Sequence, residues 1–218
     1  MQVLSAENST VEIETSAGVL VLSSHRSVYL PVQEALLVAD VHLGKAATFR
    51  SLGVPVPAGT TLANLQKLTN AIGQFKPKRL FILGDLFHAK AAFNPALLAE
   101  FRDWRNQHEQ LELHLIVGNH DSKAGLPPSN LHIELHAEPH ALGRFALCHH
   151  PQGVAGAFSI SGHVHPVFRL QGKARDRARL PCFLQRTDQL VLPSFGEFTG
   201  GHVIDLNDGD EVFPVLSA

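Results

Sequence analysis

Apolar and polar residues alternate from Val11 to Ser23 around Gly18, the two-residue period of a β-hairpin. The pattern then changes. Residues 34–39 are continuously apolar after Glu34, as expected for a strand buried on both faces. Beyond a loop punctuated by Pro55 and Pro57, Leu62, Leu65, Leu68 and Ile72 recur at helical spacing. They predict a helix that Thr60 or Thr61 caps and that ends near Phe75. Leu80–Leu83 is a second buried strand, Asn94-Pro95 opens a helix to about Gln107, and Leu111–Val117 forms the next strand. Strand, helix, strand, helix, strand implies parallel pairing with right-handed crossovers. After Asp121 short strands follow with little helix between them, around 131–135, 144–148, 158–161, 167–170, 182–184 and 190–192. The sequence therefore predicts two packed sheets flanked by helices. No repeat, low-complexity tract or linker divides it, so residues 1–218 are read as one domain.

Composition narrows the class. Hydrophobic content of 44% with 17% charged residues is that of an ordinary soluble protein. Two cysteines, Cys148 and Cys182, make no disulfide framework, which points to a reducing cytoplasm. No apolar run approaches the ~20 residues of a membrane span, and the first ten residues lack the basic start and apolar core of a secretory signal. A formal net charge of −2 means that affinity for a polyanion has to come from a local patch or from metals.

Five clusters carry the chemistry: Asp40-Val41-His42, Gly84-Asp85, Gly118-Asn119-His120-Asp121, Cys148-His149-His150-Pro151 and Gly162-His163-Val164-His165. Each follows a strand, and together they supply the carboxylates, carboxamide and imidazoles that hold a pair of divalent metals. In Asp-x-His and His-x-His, residues two apart in extended chain point to the same side. No cysteine sits at ligand spacing, which excludes a closed structural zinc site. Seven of the 14 histidines lie in or beside the clusters. The other seven (His25, His108, His114, His132, His136, His140 and His202) are read as surface or satisfied core residues.

The ordered set DVH, GD, GNHD, a histidine after a strand, then GHVH resembles the calcineurin-like metallophosphoesterase superfamily over residues 40–165. The resemblance implies an α/β fold, a four-layer α/β/β/α sandwich of two mixed sheets flanked by helices. It implies one metal on Asp40, His42 and His165, a second on Asn119, His149 and His163, and Asp85 bridging both. His120 takes the role of the histidine near the leaving group, with Asp121 as the candidate to fix its ring. Pro151 favours His149 over His150 as ligand; His150 then lies near the substrate or behind the ligands. His88 orients a ligand, touches phosphate or is a structural loop residue. Two divalent cations less two carboxylates and a bridging hydroxide leave a net positive centre suited to an anionic substrate. Such a pair lowers the pKa of a bridging water, whose hydroxide attacks phosphorus in line. Imidazole-rich ligands suit Mn, Fe or Zn, and the resemblance favours manganese.

Two flanking stretches, His42-Leu-Gly-Lys-Ala-Ala-Thr-Phe-Arg50 and Pro193-Ser-Phe-Gly-Glu-Phe-Thr-Gly-Gly201, resemble the bacterial DNA-ligase-associated, DNA-damage-response subfamily. That resemblance implies a DNA endonuclease or phosphodiesterase with an ATP-dependent DNA ligase and repair proteins as partners. Lys45 and Arg50, in a ligand-bearing loop, are candidate phosphate contacts. Arg169, Lys173, Arg175, Arg177, Arg179 and Arg186 face one acid, Asp176, in a predicted hairpin after GHVH; this stretch is either a DNA contact or a solvated face. Two other readings remain: a phosphodiesterase or pyrophosphatase acting on a small nucleotide or lipid-linked substrate, and a non-catalytic, metal-stabilised scaffold for repair partners.

Overall fold

The two periodicities of the chain build two β-sheets laid face to face. The computed structural model describes residues 2–51, 53–56, 59–171, 177–197 and 199–216. β1 (Thr10–Thr15), β2 (Gly18–Ser23), β3 (Ser27–Leu30) and β4 (Ala35–Val38) run antiparallel in sequence order, and the expected hairpin closes at Thr15↔Gly18. After α1 (Lys45–Ser51) and α2 (Thr60–Phe75), β5 (Arg79–Leu83) joins parallel to β4. After α3 (Pro95–Gln107), β6 (Glu112–Ile116) extends the parallel half; α4 (Asn119–Ala124) then precedes β7 (Ile133–His136) at its edge.

The second sheet holds β8 (His140–Leu142), β9 (Phe145–Leu147), β10 (Phe158–Ser161), β11 (Pro166–Gln171), β12 (Arg177–Arg186), β13 (Gln189–Val191) and β14 (His202–Val203) in the order β14-β11-β12-β13-β10-β9-β8. β15 (Glu211–Pro214) pairs beside β12. Both sheets are mixed, so the architecture is the expected α/β one of two mixed sheets flanked by helices.

Side chains alternate across each central strand, which explains why β4, β5 and β6 read as unbroken apolar runs. Leu36, Val38, Leu80, Ile82, Leu113 and Leu115 face Leu65 and Leu68 of α2 and Leu97, Phe101 and Trp104 of α3. Their neighbours Leu37, Phe81, Leu83 and Ile116 face the second sheet, against Phe145, Leu147, Phe158, Ile160, Phe183 and Phe213. Each fully buried Leu or Phe contributes about 1.5–3 kcal/mol, and together these residues fix how the strand ends are placed. Helical cover is unequal. Beyond the 3-10 turn Ser129–Leu131 no helix occurs among the described residues, and a small cluster of Cys182, Leu184, Val191 and Val212 lies under Val164, Phe168 and Ile204 instead.

Three local expectations change. Lys45–Ser51, expected as loop, is helix α1: its first turn hangs from the first cluster through Lys45 N–H to His42 O (3.2 Å) and Thr48 N–H to Gly44 O (3.1 Å). Neither Thr60 nor Thr61 caps α2; Gly59 stands at that position in a left-handed conformation. The strand expected from Leu131 starts at Ile133, because Leu131 ends the 3-10 turn. Asn94 caps α3 as expected, accepting from Leu97 N–H at 3.0 Å. No described helix is long and apolar enough to cross a membrane.

Candidate metal centre

Parallel pairing of β4, β5 and β6, and of β9 and β10, puts the ends of all five strands along one edge of the sandwich. Backbone hydrogen bonds stitch the following loops together. Asp40 N–H donates to Gly84 O (3.2 Å), His42 N–H to Asp85 O (2.9 Å) and Gly162 N–H to His149 O (3.1 Å). Close approach demands glycine in three of the clusters: a Cβ on Gly84 would fall on the His149 ring, one on Gly118 would strike Asp85, and one on Gly162 would strike Ala39 and the Asp40 carboxylate. Asp40, His42, Asp85, His163 and His165 all have φ between 50° and 68°. L-residues seldom adopt that region, at a cost of roughly 1–3 kcal/mol each, and such residues gather at functional sites.

The donor atoms form two groups. Asp40, His42 and His165 meet in one; Asp40 Oδ1, fully buried and without a hydrogen bond, faces His165 Nε2 at 3.2 Å. In the other, His149 Nε2 lies 2.9 Å from Asn119 Oδ1, 3.0 Å from His163 Nδ1 and 3.6 Å from Asp85 Oδ1. The second Asp85 oxygen faces His42 Nε2 at 3.8 Å, so this buried carboxylate spans both groups. Edges near 3 Å are what donors on one ion with ~2.1 Å bonds require. Burial, then the nearby charges of Lys45, His165, His120 and His88, drives the His42 pKa far below the ordinary imidazole value. Its neutral ring keeps a lone pair for a cation. An unpaired buried carboxylate oxygen, the neutral His42 ring, converging imidazole nitrogens and a shared aspartate fit two divalent ions.

His149 and His150 part company here. His149 is fully buried, and its Nδ1 lies 3.0 Å from Leu83 O, which leaves Nε2 directed at Asn119 and His163. A ring nitrogen held by a carbonyl is the usual support of a metal-binding imidazole. His150 turns its Nδ1 to Glu138 Oε1 (2.6 Å), is half-exposed, and lies with its ring centroid 4.4 Å from that of His163.

The expected pairing of His120 with Asp121 is corrected. His120 Nδ1 lies 2.9 Å from His88 O, and its ring stacks on that of His88 at 5.0 Å. The Asp121 carboxylate instead accepts the amides of Asp85 (2.7 Å), Gly118 (3.0 Å) and Phe87 (3.3 Å). Adjacent residues on a helix point in different directions, so Asp121 turns inward and His120 toward the donors. Burial pushes the Asp121 carboxyl up to about 6, with Asp85 adding to the rise while the three amides oppose it. His88 is brought close to His42 (5.4 Å between rings), and burial with Lys45 and His120 lowers it to about 4.

Lys45 reaches the centre at the start of α1 and donates to Thr199 O at 3.1 Å. Arg50 stands exposed in the last turn of α1 and donates to Val56 O at 3.4 Å. The basic hairpin is present, with Arg169 on β11 directly across from Arg179 on β12; Lys173, Arg175 and Asp176 lie outside the described residues. Arg179 donates to Gly201 O (2.8 Å), and Arg186 pairs with Asp210 (3.5 Å).

Three supports went unread in the sequence. Glu138, in the β7–β8 loop, accepts from the amides of His149 (2.7 Å) and His150 (2.9 Å). Burial alone would raise its pKa, but these bonds and the His150 ring hold it below the ordinary carboxylate value. Asn64 of α2, buried, links Val41 O (3.2 Å) to Glu197 N–H (3.1 Å). Phe195 and Gly196 donate their amides to Ala39 O (2.8 Å) and Asp40 O (3.1 Å), so the Pro193–Gly201 stretch buttresses the first cluster from behind.

Comparison with known proteins gives two findings. The sequence matches the family described as calcineurin-like phosphoesterase over residues 35–173. The fold is similar to that in the crystal structure of nuclease MPE from Pseudomonas putida, with 42% sequence identity, 94% of this chain and 96% of that chain covered, and a TM-score of 0.85. No curated protein matches the sequence.

Proposed function

Because this chain belongs to the calcineurin-like phosphoesterase family and is a phosphodiester hydrolase, we propose that it is a dinuclear, manganese-dependent DNA endonuclease of the DNA-damage response. The observation that carries the reading is the buried Asp85 carboxylate standing between two donor groups, with the His120 amide on one of its oxygens. The nuclease named for the Pseudomonas putida neighbour supports a nucleic acid as the substrate.

Asp40, His42 and His165 would hold one ion and Asn119, His149 and His163 the other, with Asp85 available to both. Two divalent cations supply an activated water and neutralise charge at phosphorus when bound. His120 stacks on His88 beside His42; with its Nδ1–H on His88 O, the ring in its doubly protonated form would give the Nε2 proton to the leaving oxygen and keep the Nδ1–H bond. Asp121 holds the loop amides around Asp85 and acts on the reaction through them. Lys45 and, beyond it, Arg50 hold flanking phosphates, and His150 lines the approach beside His163. Arg169 and Arg179 stand opposite each other, both exposed, an arrangement that disfavours the fold and suits contact with a polyanion. Residues 1–218 act as one domain in a reducing cytoplasm, alongside an ATP-dependent DNA ligase.

The test is manganese-dependent cleavage of single-stranded oligonucleotides and of bis(p-nitrophenyl) phosphate. Asn119→Ala is expected to abolish turnover of both, and His120→Ala to lower it by roughly 10²–10⁴-fold. Undiminished activity in both variants would sink the site assignment. Hydrolysis of the small diester with no oligonucleotide cleavage would move the substrate to a nucleotide or lipid-linked phosphodiester.

A further inference from the structure

His114, His136 and His140, none of them in the clusters, converge at one side of the sandwich, where the edge strand β7 of one sheet nears β8 of the other. His114 (β6) and Glu134 (β7) are register partners, and His136 lies two residues along β7 on the same face. His114 Nδ1 is 3.0 Å from His136 Nε2 and 3.4 Å from Glu134 Oε2, while Glu134 Oε1 is 3.7 Å from His136 Nε2. Phe81 stacks flat on the His114 ring (4.4 Å, 12°), closing the floor of the group with an apolar wall.

From this geometry we propose that His114, Glu134 and His136 form a separate divalent-cation site, suited to zinc, that ties the edge of the first sheet to the start of the second.

The two imidazole nitrogens lie 3.0 Å apart, and each has one oxygen of the Glu134 carboxylate within 3.4–3.7 Å, Oε2 for His114 and Oε1 for His136, so two rings and a carboxylate surround a point at the ~2.0–2.1 Å reach of zinc bonds. The fourth position faces solvent beside the exposed Glu134. His114 is buried, its Nε2 makes no hydrogen bond, and that nitrogen looks toward Glu112 Oε2 at 3.7 Å. With Nδ1 on a cation, Nε2–H would meet a carboxylate, the usual outer partner of a metal-bound imidazole. Glu112 and Glu134 also leave the group acidic around neutral rings, a charge that a +2 ion offsets. His114, His136 and His140 are each held below the ordinary imidazole pKa, first by burial, so their lone pairs are free of protons. The His140 ring of β8 packs on that of His136 at 4.0 Å, which carries the ordering of β7 across to the second sheet.

The proposal is independent of the phosphoesterase centre and has its own readout. The full-length chain, saturated with Zn²⁺ and desalted, is compared by elemental analysis with a His114→Gln/His136→Gln variant, and zinc-edge anomalous diffraction locates the ions. The variant is expected to retain one zinc fewer per chain, with manganese-dependent diester turnover unchanged and an anomalous peak between the three side chains in the parent. Glu134→Gln, at an exposed carboxylate that folding does not need, is expected to weaken this one site more than about tenfold. Equal zinc retention in parent and variants, or no anomalous peak there, would reduce the group to a hydrogen-bonded pair of histidines beside a glutamate and overturn the proposal.

Discussion

Glu138 meets the candidate donors only through two amides and the His150 ring, yet it anchors the backbone from which the His149 ring reaches Leu83 O. Both amides bond one oxygen of Glu138, Oε2, and the other faces His150 Nδ1, so Glu138→Gln can keep the amides only by turning its NH2 toward the His150 ring, and it loses the negative charge behind the donors. Manganese affinity is expected to fall by about 10–100-fold, and raised manganese should restore turnover; a fall in turnover that no manganese concentration restores would show a role beyond positioning. The donor residues were legible because each closes an apolar run with a polar signature, as in Asp40-Val41-His42. Glu138 was not, since it sits 11 residues before His149 in a loop without pattern. Asp121 was misassigned for a simpler reason: being next to His120 in sequence, on a helix, places its side chain elsewhere.

Among elements, the buried parallel strands could be read from their unbroken hydrophobicity, and α2 and α3 from their period. α1 could not, because Lys45–Ser51 has no apolar stripe and its first turn depends on the preceding loop. The Pro193–Gly201 stretch was visible as a family signature, but its work became clear only in three dimensions: it fastens α2 to the end of β4. Asn64→Ala, which strips partners from Val41 O and Glu197 N–H, should lower stability by about 2 kcal/mol in urea unfolding, with diester turnover falling in parallel. Lys67 of α2 donates to Phe195 O (2.8 Å), and burial lowers its pKa from 10.5 to about 8. The folded chain therefore releases this proton before the unfolded chain does, and stability should climb as pH rises from about 8 toward 10.5. Below pH 8 that gain is gone. Thermal unfolding of Lys67→Met across this range should lack the climb; an identical profile would deny the assignment.

At the scale of the molecule, a chain of net charge −2 concentrates buried carboxylates at one edge of its sandwich. Asp40 and Asp85 are costly there until cations arrive. Ions that bind only the folded state at 100 times their dissociation constant contribute about 2.7 kcal/mol. Chelation should therefore lower the melting temperature by roughly 5–10 °C for a chain of this size, with manganese reversing it. A melting temperature indifferent to chelator would mean that no ion is held in the folded protein.

Five donor residues held in left-handed backbone add a different consequence. Because glycine rests there without penalty and Asn, Asp and His only at a reduced one, each of these positions is a place where backbone strain favours glycine and metal chemistry does not. A library of this gene selected for thermal survival alone, with metal withheld, would drift toward Gly at 40, 42, 85, 163 and 165. Its survivors would be sturdier and inert, and the positions that drift would map the centre without any assay of activity.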